Sequence, residues 1–395
     1  MTPADIEILK RTDIRETIER NLGADPATVA LGLKEHGALI STQVKYLQRA
    51  CTKLPSYYAA RCIIPPLAYE QSSSEQTAAA KDYSGELCID LTCGLGVDSF
   101  YLSRKFERVI AMEKDETFAE IASYNFGLLG VNNIEVANEA AEAFLQNSNA
   151  PHADLIYIDP ARRRISNKKL VLFEDASPNV LALLPRIKQL TGRLVIKASP
   201  LFDVDEAFRL FGDEGAVTVE AVSWQGECKE VLIEINFNEP QEKQIIKATI
   251  AGGRSVELPR PTTRPQPLTE FNASLPYRYL LIPDVSLYKA RMAVDHVTSV
   301  GGDIFSSTGY GFGCARPENF MGTVFEISET VPYQPRQLKK YLKERGIGKI
   351  TVLKKDFPAK SDDIVKHLGM GYGEDAYIAF TAVNKKQYAI PLKKQ

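Results

Sequence analysis

The segment 87–96, LCIDLTCGLG, constrains the fold of this chain more than any other. An apolar run of strand type ends at an acid, Asp90, and the loop that follows carries two glycines, Gly94 and Gly96. Backbone without Cβ at two positions turns tightly and lets a ligand come close. A strand that ends in such a turn belongs to a βαβ unit, and the sequence repeats that unit. Strand-type runs stand at 87–91, 108–112, 154–158 and 193–198, and Asn133-Ile134-Glu135-Val136 adds another. Helical stretches lie between them: SFYLSRKF, TFAEIASYNFGLL and the segment 179–190. The rhythm then breaks. AVTVEAVS (216–223) and EVLIEINF (230–237) are separated only by 224–229, so the parallel sheet closes with an antiparallel hairpin.

The flanks read differently. In 1–80, Ile6, Ile8, Leu9, Ile14 and Ile18 recur at helical spacing, Gly23 to Pro26 breaks the pattern, and Val44, Leu47 and Leu54 resume it. Ser72 with Glu75 three residues on predicts a capping box ahead of a helix through 77–81. Residues 239–277, with PRPTTRPQP at 259–267, read as a connector with one hairpin near Gly252-Gly253. A second α/β unit follows, with helices at 286–300 and 334–345 among short strands. The expected architecture is therefore α/β: a helical domain 1–80, a sheet domain 81–238, a connector 239–277 and a small α+β module 278–395.

Composition narrows the setting. No apolar run approaches the ~20 residues of a membrane helix, and the charged N-terminus lacks an apolar signal region, so a cytoplasmic protein away from membranes is expected. The 6 cysteines are scattered with no CxxC pair and the 4 histidines are dispersed, which fits a reducing compartment and no metal site. Nothing in the sequence sets an oligomeric state. Charge is uneven: 239–395 carries +7 and 1–238 carries −9. The stretch 336–360 holds nine basic and two acidic residues, the footprint of a nucleic-acid binder. The spacing of Arg336, Lys339, Lys340, Lys343 and Arg345 equally fits the coat of an exposed helix.

The chemistry gathers at strand ends. In Asp90-Leu91-Thr92-Cys93-Gly94-Leu95-Gly96 the sixth position of a nicotinamide-type GxGxxG is Ser99, and an acid stands where a pyrophosphate would be repelled. S-adenosylmethionine (SAM) carries a cationic amine and no phosphate, and it suits this loop. Glu113, with Lys114 beside it, ends the second strand where an acid accepts two ribose hydroxyls. Glu139 and Ala140, after the third strand, stand where adenine would be recognised. Asp159-Pro160 ends the fourth strand. Its carboxylate and carbonyl are placed to align an amine and accept its proton, though Asp-Pro is also an ordinary turn. Arg162, with Arg163 and Arg164, offers phosphate contacts. Lys197 and Ser199 at the fifth strand end are candidates for the target pocket, and Trp224 and Glu227 are weaker ones.

At these residues the chain resembles class I, Rossmann-like, SAM-dependent methyltransferases: Asp90-x-x-x-Gly94-x-Gly96, Glu113, Asp159-Pro160 and the closing hairpin all agree over about 75–237. EQSSSEQTAAAK, DLTCGLGVD, DPARR, KASP and ECKE together resemble a family of uncharacterised bacterial methyltransferase-like proteins. In that family a helical segment precedes the catalytic domain and a ferredoxin-like, THUMP-like module follows it. The resemblance implies SAM as cofactor and RNA, transfer or ribosomal, as partner. A nucleobase amine is the leading acceptor. RNA amine methyltransferases place Pro and a stacking aromatic where this chain has Ala161 and Arg162, which leaves the stacking role to Phe173 or Phe202. RNA C5-uridine enzymes share an Asp-Pro-Pro-Arg turn but need a cysteine after the fifth strand, where Ala198 and Ser199 stand here. The other readings are a protein or small-molecule acceptor, a nicotinamide oxidoreductase, and a non-catalytic RNA binder with a vestigial Rossmann-like domain.

Overall fold

A computed structural model of the chain describes residues 1–162, 176–269 and 277–393, without the side chains of Arg162 and Val331. The chain divides into two compact units. The first is Met1–Trp224 with Lys229–Ile245 and Ala251–Gly253; the second is Arg254–Gln395 with Gln225–Cys228 and Ile246–Ile250.

Seven strands organise the first unit: β1 (Gly85–Asp90), β2 (Phe106–Met112), β3 (Ile134–Ala137), β4 (Leu155–Ile158), β5 (Arg193–Ala198), β6 (Ala216–Trp224) and β7 (Glu227–Asn236). They lie in the order β3-β2-β1-β4-β5-β7-β6. The pairs from β3 through to β5 are parallel, and β7 runs antiparallel to β5. The strands sit in the runs that read as apolar because both faces of this sheet are covered, and β4 is buried at all four positions. The hairpin between β6 and β7 turns at Gln225 and Gly226, both with positive φ. All the parallel strands end on one edge, and the loops there carry the candidate residues.

Seven helices precede the sheet, the longest Gly37–Lys53, and they share one apolar core with it. Ile6, Leu9, Val44 and Leu47 are buried with Phe100, Ile121 and Phe126 of the helices that follow β1 and β2. Two buried amides fasten this layer. Gln43 donates to the Ile64 carbonyl at 3.1 Å and accepts the Ile64 N–H at 3.0 Å; Asn125 does the same for Ile63 at 2.9 and 2.8 Å. Side-chain amides thus take the place of strand partners for an extended segment. The capping expectation needs a correction. The helix spans Glu75–Ala79, and Ser74, not Ser72, caps it by accepting the Thr77 N–H. Glu75 is 2% exposed and points inward, accepting from Ser56, the Tyr57 N–H and the Tyr101 hydroxyl.

The connector holds the hairpin expected near Gly252, with strands Gln244–Ile250 and Ser255–Pro259. In the second unit, Tyr279–Pro283 pairs with Gly311–Gly313 and Gly322–Glu326. Ala376–Val383 pairs with Lys349–Lys354 and Lys386–Leu392. Leu280, Phe312, Ala379 and Ile390 share one core. The single helix expected at 286–300 is two, Val285–Lys289 and Ala293–Ser299, parted where Arg291 takes φ 58°. The basic helix Pro335–Glu344 buries Leu338 and Leu342 and leaves Arg336, Lys340 and Lys343 exposed. Among the described residues, no helix is long and apolar enough to cross a membrane.

Candidate active site

The glycine loop is built from both sides. Gly96 takes φ 85°, and a Cβ there would stand 2.5 Å from the Phe126 ring, so only glycine lets the loop close onto the helix Glu116–Leu128. Gly94 takes φ 55°, and a Cβ there would meet nothing within 4 Å; this half of the loop faces open space. Beneath it Asp90 is 1% exposed. Its Oδ1 accepts the Thr92 N–H at 2.9 Å and its Oδ2 accepts the Ser99 hydroxyl at 2.5 Å. Ser99, which marks the departure from GxGxxG, is therefore the residue that ties the loop to the strand end. Asp90 acts on the shape of the loop from below.

Burial raises the Asp90 carboxyl to about 7, with the Ser99 and Thr92 hydrogen bonds pulling the other way. The folded state thus holds this proton more tightly than the unfolded chain. The stabilisation is complete below the unfolded value near 4 and is lost as pH rises through about 7. Asp90→Asn mimics the protonated group. Between pH 4 and 8 the wild type is expected to lose roughly 4 kcal/mol relative to this variant, measured by urea unfolding across pH.

Glu113 closes the loop from the β2 side. Its Oε2 accepts the Gly94 N–H and its Oε1 the Asp115 N–H, both at 2.9 Å. Each oxygen keeps a further lone pair for a hydroxyl donor. The Asn138 side chain donates to the Glu113 carbonyl at 2.9 Å, which ties the β3 loop to the same edge. Glu139 is half-buried there, Ala140 precedes the helix Ala141–Gln146, and Lys114 is exposed.

On the other side, the Thr92 hydroxyl accepts the Asp159 N–H at 2.6 Å, so the loops after β1 and β4 are joined directly. Asp159 Oδ2 lies 2.5 Å from Lys197 Nζ. Lys197 also donates to Ser73 Oγ at 2.9 Å and reaches Asp98 Oδ2 at 3.4 Å. Pro160 is half-buried beside Asp159, and Ser199 Oγ accepts the Leu201 N–H at 3.1 Å in the turn after β5. Asp90 with Thr92 and Gly94 with Glu113 form two hydrogen-bonded pairs of the glycine loop, and Thr92, Asp159 and Lys197 form a continuous hydrogen-bonded chain along the same edge. The Arg162 side chain, Arg163, Arg164 and Phe173 lie outside the described residues. Phe202 is 2% exposed, a core residue rather than a stacking platform. Trp224 is half-buried against the sheet core.

Sequence reasoning missed the groups behind Lys197. Asp98 Oδ2 accepts from Ser73 at 2.8 Å and from the Tyr157 hydroxyl at 3.1 Å, while Lys81 Nζ lies 2.9 Å from Asp98 Oδ1 and 2.6 Å from Glu230 Oε1. Burial opposes the Asp98 charge, but Lys81 and Lys197 outweigh it and hold the carboxyl well below the usual range. Burial likewise opposes the Lys197 charge, and Asp159 and Asp98 overcome it, so the ammonium persists well above the ordinary lysine range.

Residues 76–174 match a family model described as conserved hypothetical protein 95, and residues 322–394 match a THUMP domain-like model. A tRNA/tmRNA (uracil-C(5))-methyltransferase of Photorhabdus laumondii is 29% identical over 145 residues, 31% of this chain and 39% of that protein. An uncharacterized S-adenosylmethionine-dependent methyltransferase of Mycobacterium tuberculosis is 27% identical over 197 residues, 47% of this chain and 50% of that protein. The chain thus spans half or less of the length of these curated relatives. The crystal structure of a candidate methyltransferase from Porphyromonas gingivalis W83 aligns with TM-score 0.78 and 24% identity, over 97% of each chain. The fold is shared along almost the whole length. It is a mixed α/β architecture with a Rossmann-like, methyltransferase-type sheet and a C-terminal THUMP-like module, as the sequence led one to expect.

Proposed function

We propose that this chain is a SAM-dependent methyltransferase acting on RNA. The observation that carries the reading is the hydrogen-bonded edge itself. Glu113 grips Gly94, Thr92 grips Asp159, and Asp90 and Ser99 brace the loop between them, all at the carboxyl ends of β1, β2 and β4. Open space above Gly94 offers a backbone cradle, and Glu113 offers carboxylate lone pairs to ribose hydroxyls. With Glu113 and Glu139 in these loops, the edge favours a cationic ligand such as SAM over a dinucleotide pyrophosphate. Lys114 and Ala140 border the place where the adenosine end would lie. The donor supplies an activated methyl group, so the protein's task is alignment and proton removal.

RNA as the acceptor is supported by the names of the uracil-C(5) relatives, by the THUMP-like match and by the basic residues exposed on Pro335–Glu344. Arg162 and Ser199 would contact the acceptor, and the protein would work in the cytoplasm, where transfer and ribosomal RNA are found. The test is mass spectrometry of nucleosides from cells lacking the protein. A methylated nucleoside should be missing, restored by the wild type and not by Asp159→Ala. An unchanged nucleoside profile, with no methyl transfer from SAM to RNA in vitro, would refute the reading.

A further inference from the structure

An acceptor arriving at this edge meets a carboxylate already joined to an ammonium. Lys197 Nζ sits 2.5 Å from Asp159 Oδ2, and Asp159, its side chain 34% exposed, is the member of the cluster that solvent reaches most. Behind it, Ser73 and Asp98 fix the ammonium from the far side, and Lys81 and Glu230, at 1% and 2% exposure, are sealed. Six elements converge here: the two segments either side of the helix Glu75–Ala79, the helix Val97–Leu102, and strands β4, β5 and β7. A strand-end lysine held by three partners is aimed.

Three acceptor chemistries make different demands of such a pair. An amine attacks through a neutral lone pair and gains positive charge as the new bond forms, so an ammonium within hydrogen-bond range raises its barrier. Carbon 5 of a pyrimidine becomes nucleophilic only after a thiolate adds to the ring. The chain has Ala198 at the end of β5 and Ser199 and Pro200 after it, and Cys93, sealed in the glycine loop, has its thiol pushed up by burial. A hydroxyl makes the opposite demand. Its oxygen gains negative charge as the proton leaves, and an ammonium stabilises that charge while an adjacent carboxylate takes the proton.

We infer that the Asp159–Lys197 pair serves a hydroxyl acceptor, which in RNA is the ribose 2′-hydroxyl. The inference rests on the RNA-methyltransferase reading above and narrows its acceptor from a nucleobase amine to a sugar oxygen. A C–O bond forms as the C–S bond of the sulfonium breaks, sulfur keeps the bonding pair, and the hydroxyl proton passes to Asp159 and then to water. Lys197 remains charged throughout, so it acts by its field and not as the base. DNA lacks this hydroxyl and would not serve.

Alkaline hydrolysis provides the test, because RNA cleavage by alkali needs a free 2′-hydroxyl. Transfer and ribosomal RNA from cells lacking the protein are incubated with the full chain and methyl-labelled SAM, then hydrolysed. The expected result is label in alkali-resistant dinucleotides. Lys197→Met should lower transfer at least about 100-fold with SAM binding nearly unchanged. Its residual activity should climb with pH, as more of the acceptor hydroxyl ionises without the ammonium's help. Lys197→Arg, which keeps the charge, should retain more activity than Lys197→Met. Label on a base in mononucleotides would overturn the hydroxyl acceptor and leave the methyltransferase reading standing. Label in no RNA would remove the RNA reading on which it rests.

Discussion

Lys81→Met is expected to destabilise the protein by about 3–5 kcal/mol, since it removes a cation from between two sealed carboxylates. The ammonium lies 2.6 Å from Glu230 Oε1 and 2.9 Å from Asp98 Oδ1. Burial alone drives a lysine down, yet Asp98 and Glu230 together hold this one above its ordinary value. Glu230 is raised, because burial outweighs the pull of Lys81 and Lys197. In the variant Asp98 keeps Lys197, but Glu230 loses the ammonium beside it and its carboxyl rises further. A carboxyl raised in the folded state stabilises below its unfolded value and loses that contribution as pH climbs through the folded one. The deficit against wild type should therefore be small near pH 4 and largest at pH 8, measured by urea unfolding. Adding Glu230→Leu should restore part of the loss at pH 8, because an apolar pair needs no counter-charge. An equal deficit at both pH values would show that the lysine acts through packing alone.

The same cluster shows where the sequence was legible and where it was not. Strands declare themselves by apolar runs, so β1, β2, β4 and β5 stand where the alternation placed them, and with them the edge that carries Asp90, Glu113, Asp159 and Lys197. A residue at a strand end can be placed by topology alone. Lys81, Asp98 and Glu230 cannot. Lys81 follows a short alanine-rich helix, Asp98 lies in the first turn of another, and Glu230 opens an apolar run. Each reads locally as a solvated polar position, and only tertiary packing buries them together. The one available signal was indirect: Lys197, a charge within an apolar strand end, demanded partners that the sequence could not name. The misplaced cap has a similar cause. Three successive serines precede Glu75, and the choice among them depends on Glu75 turning inward to Ser56 and Tyr101. The split at Arg291 depends on a positive φ at a residue type that seldom adopts one.

Asp159→Ala should reduce methyl transfer by about 10³-fold and leave SAM affinity within about threefold, because the residue's two roles are carried by different atoms. Its backbone N–H fastens the β4 loop to the Thr92 hydroxyl, and alanine retains that bond. Among the described residues its carboxylate makes no hydrogen bond to the glycine loop and is bonded to Lys197. Removing the carboxylate leaves Lys197 held by Ser73 and Asp98, so the strand end should keep its shape and the unfolding midpoint should move little. Glu113→Ala makes the opposite cut. It deletes the acceptor of the Gly94 N–H and should weaken SAM binding directly. Calorimetric SAM titration and single-turnover transfer, run on both variants, separate the two ends of the site. A parallel loss of binding in Asp159→Ala would mean that its carboxylate shapes the cofactor loop, and the assignment of proton transfer to Asp159 would fail.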